Sequence, residues 1–246
     1  MFKRLKLAGG SALAFSVLVT LAGLYVQPEA AGAAPLQREV FLHITTRMEP
    51  AVATKVTLGN ATVQAGRFVK SARETSDPIT PFWADDDWVQ DLTVYFLNRT
   101  NNTIVYAYIL FSFSQTTDGQ IRYAFPLTLG VVPPSVSFGL DGKPYHQPPG
   151  AQRMFWGPHQ TMAIHLGDYI DRIRHSVGPS APPLATLTTL FVDLEPGLFF
   201  GDGLQWNGGY RVFDPQTSTW RRMDRDYFPG NINRDWPGAP GWADQQ

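Results

Sequence analysis

Cysteine is absent from all 246 residues. Its absence excludes disulfides, thiol nucleophiles, thiolate-ligated zinc and lipid attachment through an N-terminal cysteine. Excess charge is lacking too: 20 Lys and Arg stand against 21 Asp and Glu, a formal net charge of −1. The basic footprint of a nucleic-acid-binding protein is therefore missing. Neither a P-loop nor a G-x-G-x-x-G fingerprint occurs, so nucleotide cofactors have no motif to bind. H-E-x-x-H, the G-x-S-x-G elbow and S-x-x-K with its partners are absent as well. No internal repeat occurs at a useful spacing. Catalysis has no signature in this chain.

What is present describes a folded, exported chain. Hydrophobic residues make up 43% and charged ones 17%, which suits a globular protein rather than a disordered one. The 16 Phe and 7 Trp supply bulky packing units, while 20 Pro and 22 Gly call for many turns. That mixture points to an all-β protein of short strands. Lys3, Arg4 and Lys6 precede an apolar stretch from Leu7 to Val26, followed by small residues such as Ala31-Gly32-Ala33. Residues 1–33 read as a signal peptide or as an uncleaved N-terminal membrane anchor. On either reading the bulk of the chain is exported: periplasmic, secreted or anchored facing outside the cytoplasm. Without disulfides, the exported domain must be held by its core alone, and a chain of this length can bury roughly 70% of its unfolded surface.

Alternation of apolar and polar residues places the strands. The first spans Glu39 to Thr46, with Val40, Leu42 and Ile44 on one face and Glu39, His43 and Arg47 tending outward. A second follows from Pro50 to Leu58, then mostly loop from Val63 to Pro81. Two apolar runs between Trp88 and Phe113 flank the polar Asn98 to Asn102 and read as a hairpin. The second run is apolar on both faces, which predicts a central strand. After Asp118-Gly119, the strand through Tyr123 and Leu127 carries Pro126, which lacks an amide donor and points to an edge or a bulge. Pro133 to Pro158 reads as loop, and Thr161 to Leu166 as a short strand. Asp168 offers a cap for the one clear helix, with Ile170, Ile173 and Val177 on one side and Gly178-Pro179 as its stop. Leu187 to Leu194 and a terminal hairpin over Gly201 to Trp220 complete a domain assigned to residues 34–220. Residues 221–246 form an irregular tail rich in aromatics, Pro and Gly.

Sites are harder to read than strands. The histidines show no metal-ligand spacing: on one strand His159 and His165 would lie roughly 20 Å apart. Asp85, Asp86 and Asp87 are the one acidic cluster that could hold calcium, without the EF-hand pattern. No other cofactor is expected. For glycosidase chemistry, which needs two carboxyl groups across a cleft, the nearest candidates are Asp193, Glu195 and Asp202. Aromatics crowd the C-terminal region. Trp206, Trp220, Tyr227, Trp236 and Trp242 could stack on sugars or grip a peptide, or else roof the end of a core. The hairpin alternation favours the roof for Trp206 and Trp220. The triplets at Asn60, Asn98 and Asn101 match the N-glycosylation pattern, but the last two flank a turn, where Asn is expected anyway.

The run NRTNNTIVYAYILFSF, the Asp-Gly turn and FFGDGLQWNGGYRVFDP resemble exported bacterial proteins built on an immunoglobulin-like β-sandwich, a likeness of pattern over Glu39 to Trp220. The resemblance implies an antiparallel sandwich with one short helix, and an envelope or secreted address. It carries over no catalytic residue. Two functions are compatible with this chain. One is a non-enzymatic interaction or accessory module of the cell envelope, using a sheet edge or the aromatic tail. The other is an extracellular carbohydrate-binding or carbohydrate-active protein. The expected partner is an envelope protein or a glycan, with no nucleic acid and with membrane contact only through the N-terminal segment if uncleaved.

Overall fold

The computed structural model describes residues 35–43, 49–69, 74–75, 80–116, 121–133, 150–194, 197–201, 203–207, 209–214 and 216–223. Its first strands are β1 (Leu36–His43), β2 (Ala51–Leu58), β3 (Ala61–Val63), β4 (Gly66–Val69), β5 (Glu74–Thr75) and β6 (Phe82–Ala84). A single-turn helix α1 (Trp88–Asp91) leads into β7 (Leu92–Asn98), β8 (Ile104–Ser114), β9 (Tyr123–Gly130) and β10 (Thr161–His165). Helix α2 (Ile170–Val177) precedes β11 (Thr189–Leu194) and β12 (Leu198–Phe200), and the described chain closes on β13 (Leu204–Trp206), β14 (Tyr210–Asp214) and β15 (Thr219–Arg222). The protein is all-β, with strands in two sheets and little helix.

The smaller sheet is antiparallel and runs β10-β7-β2-β3. The larger follows β15-β14-β13-β12-β8-β11-β1-β4-β5, with β9 also on β8 and β6 also on β1. Val56, Val94 and Phe96 of the first sheet join Val40, Ile109, Phe111, Leu190 and Val192 of the second in one buried core. Pairing is not antiparallel throughout, as the sequence had suggested. β1 runs parallel to both β11 and β4. Parallel neighbours need crossover connections, and the chain visits the other sheet between β1 and β4.

The run from Trp88 to Phe113 is not a hairpin. β7 lies in the smaller sheet and β8 in the larger, so residues 98–103 arch from one sheet to the other. β8 has no edge left for β7: β9 takes one side, and β11 and β12 take the other. Its central place was legible from its two apolar faces. Trp88 and Val89, expected in a strand, form the buried part of α1.

Other differences follow from pairing that local sequence does not display. Gly66–Val69 and Glu74–Thr75, in the stretch read mostly as loop, are strands because β1 supplies an edge for β4, and β4 one for β5. His43, expected outward, is 14% exposed at its side chain. Phe41, Phe68 and Phe191 form a second buried cluster on that face of the sheet, so β1 is covered on both sides. Ile44 to Arg47 lie outside the described residues. β9 is an edge strand carrying Pro126, as its missing amide requires. It ends at Gly130, where φ is +83° and an added Cβ would stand 2.0 Å from the Val105 carbonyl oxygen. Only glycine fits there. The helix begins as a 3-10 turn over Leu166–Tyr169, and no side chain caps it, Asp168 included. Burial of Ile173 holds it instead.

Candidate functional site

Three arrangements carry polar or exposed groups in positions that folding alone does not explain equally well. The first is an open groove of about 340 Å³ at one end of the larger sheet, lined by Val105, Val131, Val132, Pro133, Arg153, Met154, Phe155 and Gly201. Its walls are apolar, with Arg153 as the one charge. Phe155 is 72% exposed, more than Trp83 at 69% or Ile121 at 67%. Beside it, Trp156 is buried and exchanges both backbone hydrogen bonds with Ile104. Its indole N–H donates to the Gln160 carbonyl at 2.8 Å. One ring is therefore committed to the fold while its neighbour in sequence points to solvent. Sequence reasoning missed this groove, because 133–158 read as loop; the adjacent Phe155 and Trp156 were the available signal.

The second arrangement gathers ionisable groups at the ends of β1, β7 and β11. His43 Nδ1 lies 2.6 Å from Asp193 Oδ1. Arg99 is buried and donates through Nη1 to the Glu49 carbonyl at 3.3 Å. Burial raises the Glu49 carboxyl to about 8; the charge of Asp193 adds to the rise and that of Arg99 opposes it. Burial likewise lowers the Arg99 pKa, against the charges of Glu49 and Tyr210. Asp193, one of the glycosidase candidates, is thus engaged by a histidine, and Glu195 and Asp202 lie outside the described residues.

The third surrounds the acidic cluster. Asp85 Oδ1 accepts the Asp87 N–H at 3.1 Å, and Asp87 Oδ1 accepts from Gln90 Nε2 at 2.6 Å, which shapes the turn into α1. Behind that turn Arg38 is fully buried. It donates to the carbonyls of Leu187 at 2.6 Å, Ala185 at 2.7 Å and Asp85 at 3.2 Å, and lies 5.2 Å from the centre of the Trp88 ring. Burial lowers the pKa of Arg38, and the charges of Asp86 and Asp85 raise it. Among the described residues, no three His, Asp or Glu side chains gather as a metal ion would need.

The remaining candidates disperse. Trp206 is 7% exposed in the main core, edge-on to Tyr210 at 4.9 Å. Trp220 packs half-buried on Phe199 and Phe213, at 6.0 and 5.3 Å. Tyr227, Trp236 and Trp242 lie outside the described residues. His159 Nε2 meets Asn101 Oδ1 at 2.7 Å beside the arch, whereas His165 Nδ1 meets Thr93 Oγ1 at 3.2 Å across the β10–β7 ladder, so the two do not share a site. Asn98 is fully buried, and its side-chain amide donates to the carbonyls of Asn102, Trp156 and Gly157. That amide holds the arch between the sheets and has no room for a glycan.

No protein-family model, no curated protein and no solved structure matches this chain.

Proposed function

We propose that the protein is a non-enzymatic exported module, an immunoglobulin-like variant of the β-sandwich, that docks a partner in the cell envelope. The observation that carries this reading is the open apolar groove with Phe155 standing at its rim. A large aromatic side chain held in water, beside other apolar walls, gains most when a partner covers it. Arg153 supplies orientation at the same rim, whereas Arg38 and Arg99 are bonded inward and serve the fold. Export rests on the basic n-region, apolar stretch and small-residue box of residues 1–33.

A photo-crosslinking residue in place of Phe155, introduced in the native cell, tests the docking. It should trap one discrete envelope partner, and Arg153→Glu should reduce the yield. The same residue in place of Trp83 should trap none. Equal, diffuse labelling from both positions would remove the groove as the contact surface.

Carbohydrate binding is the second reading. It is favoured by Trp220, half-exposed on the outer face of β15 beside arginine side chains.

A further inference from the structure

The C-terminal strands carry two cations, Arg211 and Arg222, that have no counter-ion among the described residues. In the antiparallel ladder β13-β14-β15, Gln205 lies opposite Arg211, and Arg211 lies opposite Arg222. Directly opposed residues share a face, with Cβ atoms about 5 Å apart. Leu204, Trp206, Tyr210 and Val212 of the same strands enter the main core. The Gln205–Arg211–Arg222 row therefore lies on the reverse, outer face. Gln205 is 2% exposed and its Oε1 has no hydrogen-bond partner. The buried Nε of Arg211 has none either. Arg222 is exposed and lies over Gly209, where an added Cβ would come within 3.3 Å of Nη2.

Asp214, the described carboxylate nearest these strands' arginines in sequence, does not answer their charges. Asp214 pairs with Thr219 in the ladder, one position out of phase with the arginines, so it points to the other face. Its Oδ1 accepts the Gln216 N–H at 2.9 Å, and the arginine whose charge reaches it is Arg221. Like charges placed directly opposite on neighbouring strands destabilise a sheet. A local rule broken with no compensating gain to the fold marks a place kept for a ligand.

We propose that the Gln205–Arg211–Arg222 row binds an acidic saccharide. Two guanidinium forks match the planar carboxylate of a uronate, which a single ammonium would not. Arg222, exposed above Gly209, meets that carboxylate together with Arg211, and Gln205 Oε1 is the acceptor left for a ring hydroxyl. Trp220 stands two positions before Arg222 on the same face, and its indole takes the apolar face of the adjoining sugar ring. This inference rests on the carbohydrate-binding reading and not on docking at Phe155, although Trp220 shares an apolar cluster with Val105 and Val132 of the groove wall.

Calorimetric titration of the full chain with a galacturonic acid trimer tests it, alongside the methyl-esterified neutral trimer and inorganic sulfate. The acidic trimer should bind at least about tenfold more tightly than the neutral one, one decade of affinity for a charge-assisted bidentate contact. Arg211→Gln with Arg222→Gln should abolish that preference, with an unchanged circular dichroism spectrum and a higher thermal midpoint without ligand. Arg222→Lys keeps the charge and the fold; it too should lose most of the preference, because the fork is gone. Equal binding of the two trimers overturns the proposal and leaves carbohydrate binding standing. No binding of either trimer overturns both. Sulfate binding as tight as the acidic trimer makes the row a simple oxyanion site and also overturns the proposal.

Discussion

Two arginine sites of this protein solve opposite problems. At the turn into α1, Arg38 is fully buried, donates to three backbone carbonyls and lies over Trp88. On the outer face of the C-terminal strands, Arg211 and Arg222 oppose each other with no described carboxylate between them. The first charge is enclosed by acceptors that the chain itself supplies, 47 and 149 residues away along the sequence. The second pair is held ready, with acceptors still to come. A cation that serves folding brings its partners from inside the protein; a cation that serves binding waits for them from outside.

The largest test of that contrast is Arg38→Ala. It leaves the Leu187 and Ala185 carbonyls buried without donors and should cost on the order of 3 kcal/mol or more, read from urea denaturation. A loss under about 1 kcal/mol would show that Arg38 is not structural, and the comparison would fail on that side. Asn98→Ala removes the amide that ties the arch to 156–157 and should cost about 2 kcal/mol by the same measurement.

Glu49 gives a pH-dependent test at a third charged position. Burial first, then the charge of Asp193, lifts its carboxyl to about 8 in the folded protein, from 4.5 in the free residue. The folded state then holds a proton between those values that the unfolded chain has released. Stability from this group is complete below 4.5 and is lost as pH rises through about 8. Thermal melts from pH 5 to pH 9 should fall over that range, and Glu49→Gln should flatten the decline. Smallest of all is Arg222→Gln without ligand, which should raise stability by a few tenths of a kcal/mol as the repulsion is relieved. A drop instead would mean that Arg222 supports the fold as Arg38 does, and the distinction between the two sites would vanish.

How much of this was readable in advance varies with the distance over which each feature is decided. The central place of β8, the edge position of β9 with Pro126, and the helix near Ile173 all follow from side chains a few residues apart. Alternation along β13 to β15 favours packing over platform for Trp206 and Trp220, and both rings lie against other aromatics. Alternation places His43 outward, yet its ring is covered by Phe68, a residue that β1 meets only through its pairing with β4. The arch at 98–103 looked like a hairpin, since polar residues between two apolar runs suit both. The site at Phe155 was invisible for a related reason: exposure is settled by what the rest of the chain fails to cover.

By itself, the amino-acid order determined the β-rich character and the thiol-free interior. The first depends on backbone preferences and on a period of two, both of which act between near neighbours. Only the tertiary structure decided that β1 runs parallel to β4 and β11, that β7 and β8 part into different sheets, and that Arg211 faces Arg222. Each is a choice among edges offering the same N–H and C=O groups. Long-range packing, not local pattern, selects among them.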